Sequence, residues 1–410
     1  MKNLKSPSFI LGNIAKGEDF WNREDEIANI WKALEKDNVL LKAPRRFGKS
    51  SIMFNLFQSP KNNFKVFFQN TEGINEPEDF IIDIISKMLA DSTLRNWYHK
   101  VSKSMKELIS RFEFGISYED MPEVKMKIRE SLKKDWQEEG RKLISDLYKY
   151  KGKILFILDE LPILIKRIEE KRGKDVAIDF LHWFRSIRQM PKLSNVRWLV
   201  GGSIGIEHVV EKIGAGVKII NDFATIRLEP FSKYEGREFI KALLKKEGNL
   251  KRASSSILNK LMETIGIPIP YFIQILLRES LYEMNRQKRK SLTEEIVEKA
   301  YQEHVLGPTS RSYFRHYHSR LKDYYDIEIE PIAKRLLTEI ARQGELKKST
   351  LFKLFNQESK GRYKTDDFSY LMSDLENDFY ISYNKENRSY NFTSKVLKDW
   401  WLRYYDLVEE

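Results

Sequence analysis

The sequence predicts an α/β protein in which helices cover both faces of a parallel β-sheet, followed by helical chain and a small C-terminal unit. Short apolar segments alternate with amphipathic segments as far as about residue 230, as in parallel strands joined by helices. Strand signals then stop, and residues 232–300 have helical spacing. Towards the end, three helical segments precede two short alternating ones, which predicts three helices and a hairpin.

Composition narrows the class of protein. Of the 410 residues, 41% are hydrophobic and 32% charged, which indicates a soluble globular chain of two or three domains. The absence of cysteine excludes a disulfide framework, a thiolate zinc site and a cysteine nucleophile. The net charge of +12 favours a polyanionic partner such as a nucleotide or nucleic acid. We find no signal peptide and no apolar run near the ~18 residues of a membrane span, so we expect a cytoplasmic protein.

The strongest chemical signal is the segment APRRFGKS at residues 43–50, between an apolar strand and a helix with one apolar side. It matches the phosphate-binding loop G-x-x-x-x-G-K-[ST], with alanine at the first glycine. We expect backbone N–H groups to surround a phosphate, Lys49 to contact the β- and γ-phosphates of ATP, and Ser50 to bind Mg²⁺. The predicted nucleotide-binding residues of this segment are Ala43, Pro44, Arg45, Arg46, Phe47, Gly48, Lys49, Ser50 and Ser51.

A second signal is the apolar strand Ile154–Leu158, which ends in Asp159 and Glu160. Open α/β sheets bind ligands at the C-terminal ends of their strands, so we expect both carboxylates near the phosphates. Asp159 would hold Mg²⁺, and Glu160 would orient and deprotonate the attacking water. A glutamate at this position predicts hydrolysis rather than transfer to a substrate hydroxyl.

Ser203 follows a further strand, Val196–Val200, and would lie at the same edge of a parallel sheet. Its hydroxyl could contact the γ-phosphate or position the water, which makes it a candidate catalytic residue beside Glu160 and Lys49. The alternative is a Gly-Ser turn that merely closes the strand.

A resemblance to a known family rests on four segments: APRRFGKSS, LFILDELP, VRWLVGGSIGIEHVV and LEPFSKYEGREFI. Together they resemble the archaeal-type ATPases, P-loop NTPases of the STAND group related to the AAA+ class, from about Phe20 to the C-terminus. The resemblance implies a P-loop ATPase core (1–230), a helical lid (231–306), a connector (307–326) and a winged-helix domain (327–410). It also implies a Mg²⁺-dependent ATPase that acts as a molecular switch, with Walker A and Walker B motifs.

The resemblance further implies residues on the adenine side of the nucleotide. The family motif aromatic-x-G-R-E matches Phe20–Glu24, with Asn22 in place of the glycine, and so points to Arg23 and Glu24. Pro268 in GIPIP matches the lid proline that lies near adenine, although Pro270 leaves the register open. The alternative for these prolines is a simple helix break.

Partners are less well defined by the sequence. An arginine supplied in trans by a second copy would be Arg185 or Arg188, although one sequence cannot separate these from ordinary solvated arginines, which are the more common case. The predicted third helix of the C-terminal unit, within 366–378, carries five acids and no Lys or Arg, which opposes contact with DNA phosphates. We therefore expect this unit to pack on the ATPase core or to meet an unidentified protein partner.

Two alternative functions stay open at the level of sequence. One is an ATP-dependent DNA-binding, loading or remodelling protein that uses the winged helix and the basic surface. The other is a nucleotide-binding scaffold with little turnover, against which Glu160 argues.

Overall fold

The computed structural model describes residues 6–101, 129–130, 132, 135–202, 205–248 and 253–406. The chain forms two compact units. The sheet unit comprises Arg23–Ala43 and Lys49–Leu228, and the helical unit comprises Met1–Asn22, Pro44–Gly48 and Glu229–Glu410. The segment Pro44–Gly48 therefore groups with the C-terminal half of the chain, although it connects two elements of the sheet unit.

The sheet unit is built on five parallel strands: β1 Asn38–Lys42, β2 Phe64–Asn70, β3 Lys153–Asp159, β4 Val196–Gly201 and β5 Phe223–Arg227. Its longer helices among the described residues are α1 Glu24–Leu34, α2 Lys49–Gln58, α3 Pro77–Ala90, α4 Ser92–Val101, α5 Trp136–Ser145, α6 Leu161–Arg172, α7 Lys174–Arg188 and α8 Ile206–Lys212. The strand order is β2-β3-β4-β1-β5. The predicted parallel sheet is confirmed.

The register brings the ends of the inner strands to one edge of the sheet. Leu41 pairs with Gly201, and Leu158 pairs with Val200. Strands β1, β3 and β4 therefore end together, and this is the edge at which open α/β sheets bind ligands.

Helices pack on both faces because side chains alternate along each strand. On one face, Phe156 stacks on Trp198 with ring centroids 4.7 Å apart, and Phe184 of α7 meets Trp198 edge-on at 5.0 Å. On the other face, Phe68 of β2 lies 5.9 Å from Phe54 of α2. Each buried large side chain of this kind contributes about 1.5–3 kcal/mol of hydrophobic stabilisation.

The helical unit contains α9 Lys233–Lys246, α10 Ser255–Ile265, α11 Pro270–Arg286, α12 Glu294–Lys299, α13 Arg311–Tyr324, α14 Ile329–Gln343, α15 Lys348–Glu358, α16 Thr365–Asn377 and α17 Lys395–Tyr405. Helix α12 continues into a π-helical segment, Ala300–Val305. Strands β6 Glu345–Lys347, β7 Ile381–Asn384 and β8 Ser389–Phe392 form an antiparallel sheet in the order β6-β8-β7. The helices in the described parts of the chain all lack the length and apolar character that crossing a membrane requires.

The C-terminal region has the three predicted helices and hairpin, as α14, α15, α16 and β7–β8, together with β6 and α17. Most of the predicted connector 307–326 is helix α13. Its buried residues Phe314, Tyr317, Leu321 and Tyr324 form a helical stripe. The domain boundaries at 231, 307 and 327 and the assignment of a winged helix stay predictions.

Candidate functional site

The first candidate group lies in the sheet unit, where the start of α2 meets the end of β3. Lys49 is 6% exposed and Asp159 is 4% exposed. The Ser50 hydroxyl donates a hydrogen bond to the Asp159 carboxylate, and the Lys49 ammonium stabilises the charge of that carboxylate. Three residues predicted from two separate motifs are therefore brought together.

The neighbours of the Asp159 carboxylate stabilise its negative charge only in part. Burial raises the pKa of Asp159 above the usual aspartate value, and the favourable effects of Lys49 and Ser50 offset this only in part. Its Oδ1 atom is buried and finds no hydrogen-bond partner among the described residues. Because an unpaired buried oxygen is unfavourable, this atom suits a bound cation.

The donor set fits Mg²⁺ bound together with a phosphate. One carboxylate and one hydroxyl are oxygen ligands, and Mg²⁺ keeps several waters and uses substrate phosphates for the rest of its shell. In the described ranges, no cluster of three or more His, Asp or Glu side chains could hold a metal ion. Asp159 and Ser50 would therefore supply two of the oxygen ligands that such an ion needs.

The backbone of Asp159 is fixed by the neighbouring strand. The N–H and the hydroxyl of Thr71, just beyond β2, both donate to the Asp159 carbonyl oxygen at 2.9 Å. Thr71 is fully buried. The sequence analysis missed this residue, although its position after the apolar strand FKVFFQN was a usable signal.

Glu160 follows Asp159 directly and precedes α6. Its backbone is left-handed, with φ 65° and ψ 33°, an unfavourable conformation for a side chain other than glycine or asparagine. Its charge contributes to raising the pKa of Asp159. The structure thus brings both predicted carboxylates to the end of β3, while the role of Glu160 as a base stays a prediction.

Gly201, the last residue of β4, lies against the side chain of Lys49. A Cβ atom at this glycine would lie 3.2 Å from Cδ of Lys49 and 2.5 Å from Cε of Met53. The strand end therefore restricts the Lys49 side chain, a role that the sequence analysis did not assign. The predicted Ser203 lies outside the described residues.

The predicted phosphate loop has two positions with a left-handed backbone. Gly48 has φ 90°, which explains the glycine there, and Arg46 has φ 73°. Ala43 does not have a positive φ, so the first loop position does not require glycine and accepts alanine. Ser51 lies in the first turn of α2 and is half-buried.

Three consecutive loop residues contact other parts of the helical unit. The Arg46 guanidinium lies 4.2 Å from the ring centroid of Tyr271 and donates to the Leu11 carbonyl oxygen at 3.1 Å. In a separate contact, the Phe47 and Phe379 rings meet edge-on at 4.8 Å. The Tyr317 hydroxyl donates to the Arg45 carbonyl oxygen at 3.5 Å.

The aromatic motif before α1 packs on α9. Trp21 lies 5.1 Å from Phe239 and 5.5 Å from Phe231 between ring centroids. The Asn22 amide donates to Glu235 Oε1 at 2.6 Å. Asn22 has φ 58°, a conformation that asparagine tolerates and that explains its replacement of glycine in the motif.

The remaining motif residues belong to the sheet unit. Arg23 is 5% exposed, has φ 81° and forms an ion pair with Glu26. Glu24 is exposed at the start of α1. Their predicted contact with adenine stays a prediction.

The two prolines of GIPIP have different surroundings. Pro268 is buried, its carbonyl oxygen accepts a hydrogen bond from the Phe231 N–H at 3.1 Å, and a Cβ at Gly236 would lie 2.9 Å from its own Cβ. Pro270 is the first residue of α11, where proline is favoured. Pro268 is therefore the proline that contacts Phe231 and the start of α9, on which the aromatic motif packs.

The structure corrects the prediction for Arg188. Its guanidinium donates to both Asp222 carboxylate oxygens, at 2.8 and 2.9 Å, and lies 4.5 Å from the ring of Phe184 and 4.3 Å from that of Phe223. The side chain is 1% exposed. Because it is buried and paired inside its own unit, Arg188 cannot be supplied to a second copy. Arg185 is half-buried, donates to the Asn221 amide oxygen at 3.0 Å in a solvent-exposed contact, and stays a candidate.

Comparison with known proteins identifies the fold. The chain has the AAA+ P-loop NTPase fold, which confirms the predicted fold class of the core. It is similar to a Walker-type ATPase of Pyrococcus abyssi at 16% identity and TM-score 0.63, covering 96% of this chain and 99% of that one. It is also similar to the ORC2 protein of Aeropyrum pernix, solved in ADPNP and ADP complexes, at 11% identity and TM-score 0.53, covering 96% and 97%. No protein-family model and no curated protein matches the chain.

Proposed function

We propose that the protein binds ATP with Mg²⁺, hydrolyses it, and acts as a molecular switch. The observation that carries this proposal is the buried Asp159 oxygen without a hydrogen-bond partner, beside Lys49 and Ser50 at the start of α2. This oxygen lies at the end of β3, at the sheet edge where open α/β sheets bind ligands. In a P-loop NTPase fold, an open carboxylate position at this strand end supports a nucleotide-bound metal.

Each residue of this group has a chemical task in the proposed reaction. Lys49 and the N–H groups at the start of α2 bind the phosphates, with Ala43–Gly48 preceding them in the chain. Ser50 and Asp159 would hold Mg²⁺, which when bound neutralises phosphate charge. Glu160 orients the attacking water and accepts its proton. Ser203 contacts the γ-phosphate or the water.

On the adenine side, we assign Arg23, Glu24 and Pro268 by their match to the family motifs. Phe231 supports the choice of this proline, because its N–H donates to the Pro268 carbonyl oxygen and its ring contacts Trp21 of the aromatic motif. Arg185 is the proposed arginine supplied in trans by a second copy.

The switch would couple the nucleotide state to the lid (231–306) and to the C-terminal winged-helix region (327–410). The contacts of Arg45, Arg46 and Phe47 inside the helical unit support this coupling. The same loop would contact the phosphates and also contacts the rest of the helical unit. A change in nucleotide state therefore has a direct physical route to that unit.

The surface of α16 supports a protein partner rather than duplex DNA. Asp366 and Asp367 are exposed at its start, while Phe368 and Leu371 are buried. An acidic helix face repels the phosphate backbone, so the alternative of a base-reading DNA-binding protein gains no support here.

The function is tested by ATP titration and multiple-turnover hydrolysis on three variants. Lys49→Ala should weaken ATP binding at least tenfold, because a charge-assisted phosphate contact is lost. Glu160→Gln should bind ATP as the wild type does but turn over about 100-fold more slowly, because the amide cannot accept a proton. Glu170→Gln, at a 61% exposed glutamate on α6, is the matched control and should change neither quantity.

The two parts of the proposal fail separately. A wild-type protein that does not bind ATP removes the function. Normal turnover by Glu160→Gln removes only the assignment of the base.

A further inference from the structure

The phosphate loop is held mainly by residues far from it in the sequence. The segment Pro44–Gly48 groups with the helical unit. Arg45, Arg46 and Phe47 are contacted by Tyr317, Tyr271 and Phe379, respectively, which come from α13, α11 and the turn after α16. Phe47 is 1% exposed, so its ring is fully enclosed.

The loop conformation needs support of this kind. Arg46 has φ 73°, and left-handed backbone is unfavourable for residues other than glycine and asparagine. Such strained positions persist only where the surrounding structure holds them. The contacts of Arg46 with Tyr271 and with the Leu11 carbonyl oxygen stabilise the loop in this conformation.

The turn that carries Phe379 is itself anchored. The Asp378 carboxylate forms a buried ion pair with Arg320 at 3.2 Å. On the other side of Phe379, the Tyr380 hydroxyl donates a hydrogen bond to the Tyr317 carbonyl oxygen. Both anchors lie on α13, and the Tyr317 hydroxyl of that helix also donates to the loop. The Phe379 ring is therefore presented to Phe47 from a firmly held turn.

We propose that Phe379 and Tyr271 are positioning residues, which hold the phosphate loop in its nucleotide-binding conformation through Phe47 and Arg46. This rests on the proposed function. It gives the C-terminal region a direct task in nucleotide binding, and it predicts that loss of these contacts weakens binding. An autoinhibitory contact at the same place would have the opposite effect, because its loss would strengthen binding.

The test compares Phe379→Ala with Phe352→Ala, using a fluorescent ATP analogue for affinity and hydrogen exchange of the nucleotide-free protein for the loop. Phe352 is half-buried like Phe379 and meets Phe368 edge-on at 5.2 Å in the same C-terminal region. Phe379→Ala should weaken binding about 3- to 10-fold, the range of a lost aromatic pair, and speed exchange at residues 45–48. Phe352→Ala should change neither, although it also removes a packed ring. Adding Phe47→Ala to Phe379→Ala should weaken binding no further than the more severe single variant.

Each outcome decides the matter. Wild-type affinity in Phe379→Ala overturns this inference but not the proposed function, whether or not exchange is faster. The loop would then bind nucleotide equally well without the Phe379 contact. Equal loss of affinity in Phe352→Ala overturns it too, since the effect would then reflect general loss of packing. Tighter binding by Phe379→Ala indicates autoinhibition and also overturns it. A wild-type protein that does not bind the analogue overturns the proposed function and this inference together.

Discussion

Asp159 combines a fixed backbone with a carboxylate that its neighbours only partly stabilise. Thr71 holds its carbonyl oxygen by two hydrogen bonds, and Ser50 and Lys49 approach its side chain. Burial nevertheless raises the pKa of Asp159, with a smaller contribution from the Glu160 charge. The charged form of this carboxylate is therefore less favourable in its folded surroundings than in water, which is the observation behind the proposed cation site.

The pKa of Asp159 makes a prediction about stability and pH. A raised pKa in the folded state means that the ionised carboxylate disfavours folding. The wild type should therefore lose stability relative to Asp159→Asn as the pH rises from the ordinary value of 3.8 through the raised pKa. Urea unfolding of both proteins should give a difference that favours Asp159→Asn more at about pH 7 than at about pH 4.

Asp91→Asn is the control for this experiment. Burial raises the pKa of Asp91, but hydrogen bonds from Lys65 and from backbone N–H groups outweigh burial and lower it overall. Because its pKa is lowered in the folded state, raising the pH from about 4 to about 7 should slightly favour the wild type over Asp91→Asn, the opposite direction to Asp159→Asn. A difference for Asp159→Asn that shrinks with rising pH would contradict the prediction.

Departures from the family motifs are explained by single backbone angles. Asn22 has φ 58°, which an asparagine tolerates in place of glycine, whereas Ala43 needs no left-handed backbone. Sequence alone could not separate these cases, because a motif does not state which of its glycines have positive φ. The same limit applies to Arg188, whose burial against Asp222 depends on tertiary packing.

At the scale of elements, α2 and β4 meet so closely that the last residue of the strand must be small. We predict that Gly201→Ala weakens ATP binding about fivefold, because overpacking against Lys49 and Met53 costs about 1 kcal/mol or more. Gly205→Ala is the matched control, since a Cβ there meets no atom within 4 Å. ATP titration of both variants checks the prediction. Equal ATP affinities of Gly201→Ala and Gly205→Ala would count against the proposed contact of Lys49 with the phosphates.

The strands of the large sheet could be located from sequence because each is a short apolar run between turns. Their order could not, since neighbours such as β1 and β4 are far apart in the chain. Strand β6 has only three residues, too few for an alternating pattern. Helix α13 was missed because its buried stripe is largely aromatic and is interspersed with His and Arg.

The residues of the candidate site likewise divide into those that could be identified from sequence and those that could not. Lys49, Ser50, Asp159 and Glu160 could be named from sequence because their motifs are local. Gly201 and Phe379 could not, because each acts through a contact between distant segments. Thr71 had a signal in its position after an apolar strand, but its contact with Asp159 depends on the pairing of β2 with β3.

At the scale of the whole molecule, α17 joins the elements of the helical unit. The Trp401 indole donates to the Thr338 hydroxyl of α14 at 3.0 Å. Asp399 accepts a hydrogen bond from the Tyr301 hydroxyl at 2.7 Å, and the Tyr404 hydroxyl donates to the Leu306 carbonyl oxygen at 3.0 Å. One C-terminal helix thus contacts both the predicted lid and the predicted winged-helix region.

We predict that Trp401→Ala destabilises this unit by about 3–5 kcal/mol, because the side chain is fully buried. Hydrogen exchange should speed up together in α12 and α14, since α17 contacts the chain around both. Tyr370→Ala, at a side chain 66% exposed on α16, should stay within about 0.5 kcal/mol of the wild type. Faster exchange confined to α14 would show that the two regions unfold independently.

The contact between Phe47 and Phe379 also has a consequence for synthesis of the chain. The phosphate loop leaves the ribosome well before the aromatic ring that packs on it, because Phe379 lies far after Phe47 in the sequence. A nascent or prematurely terminated chain therefore contains the loop sequence without its packing partner. Synthesis at least as far as Phe379 is in this way a condition for completing the surroundings of the loop.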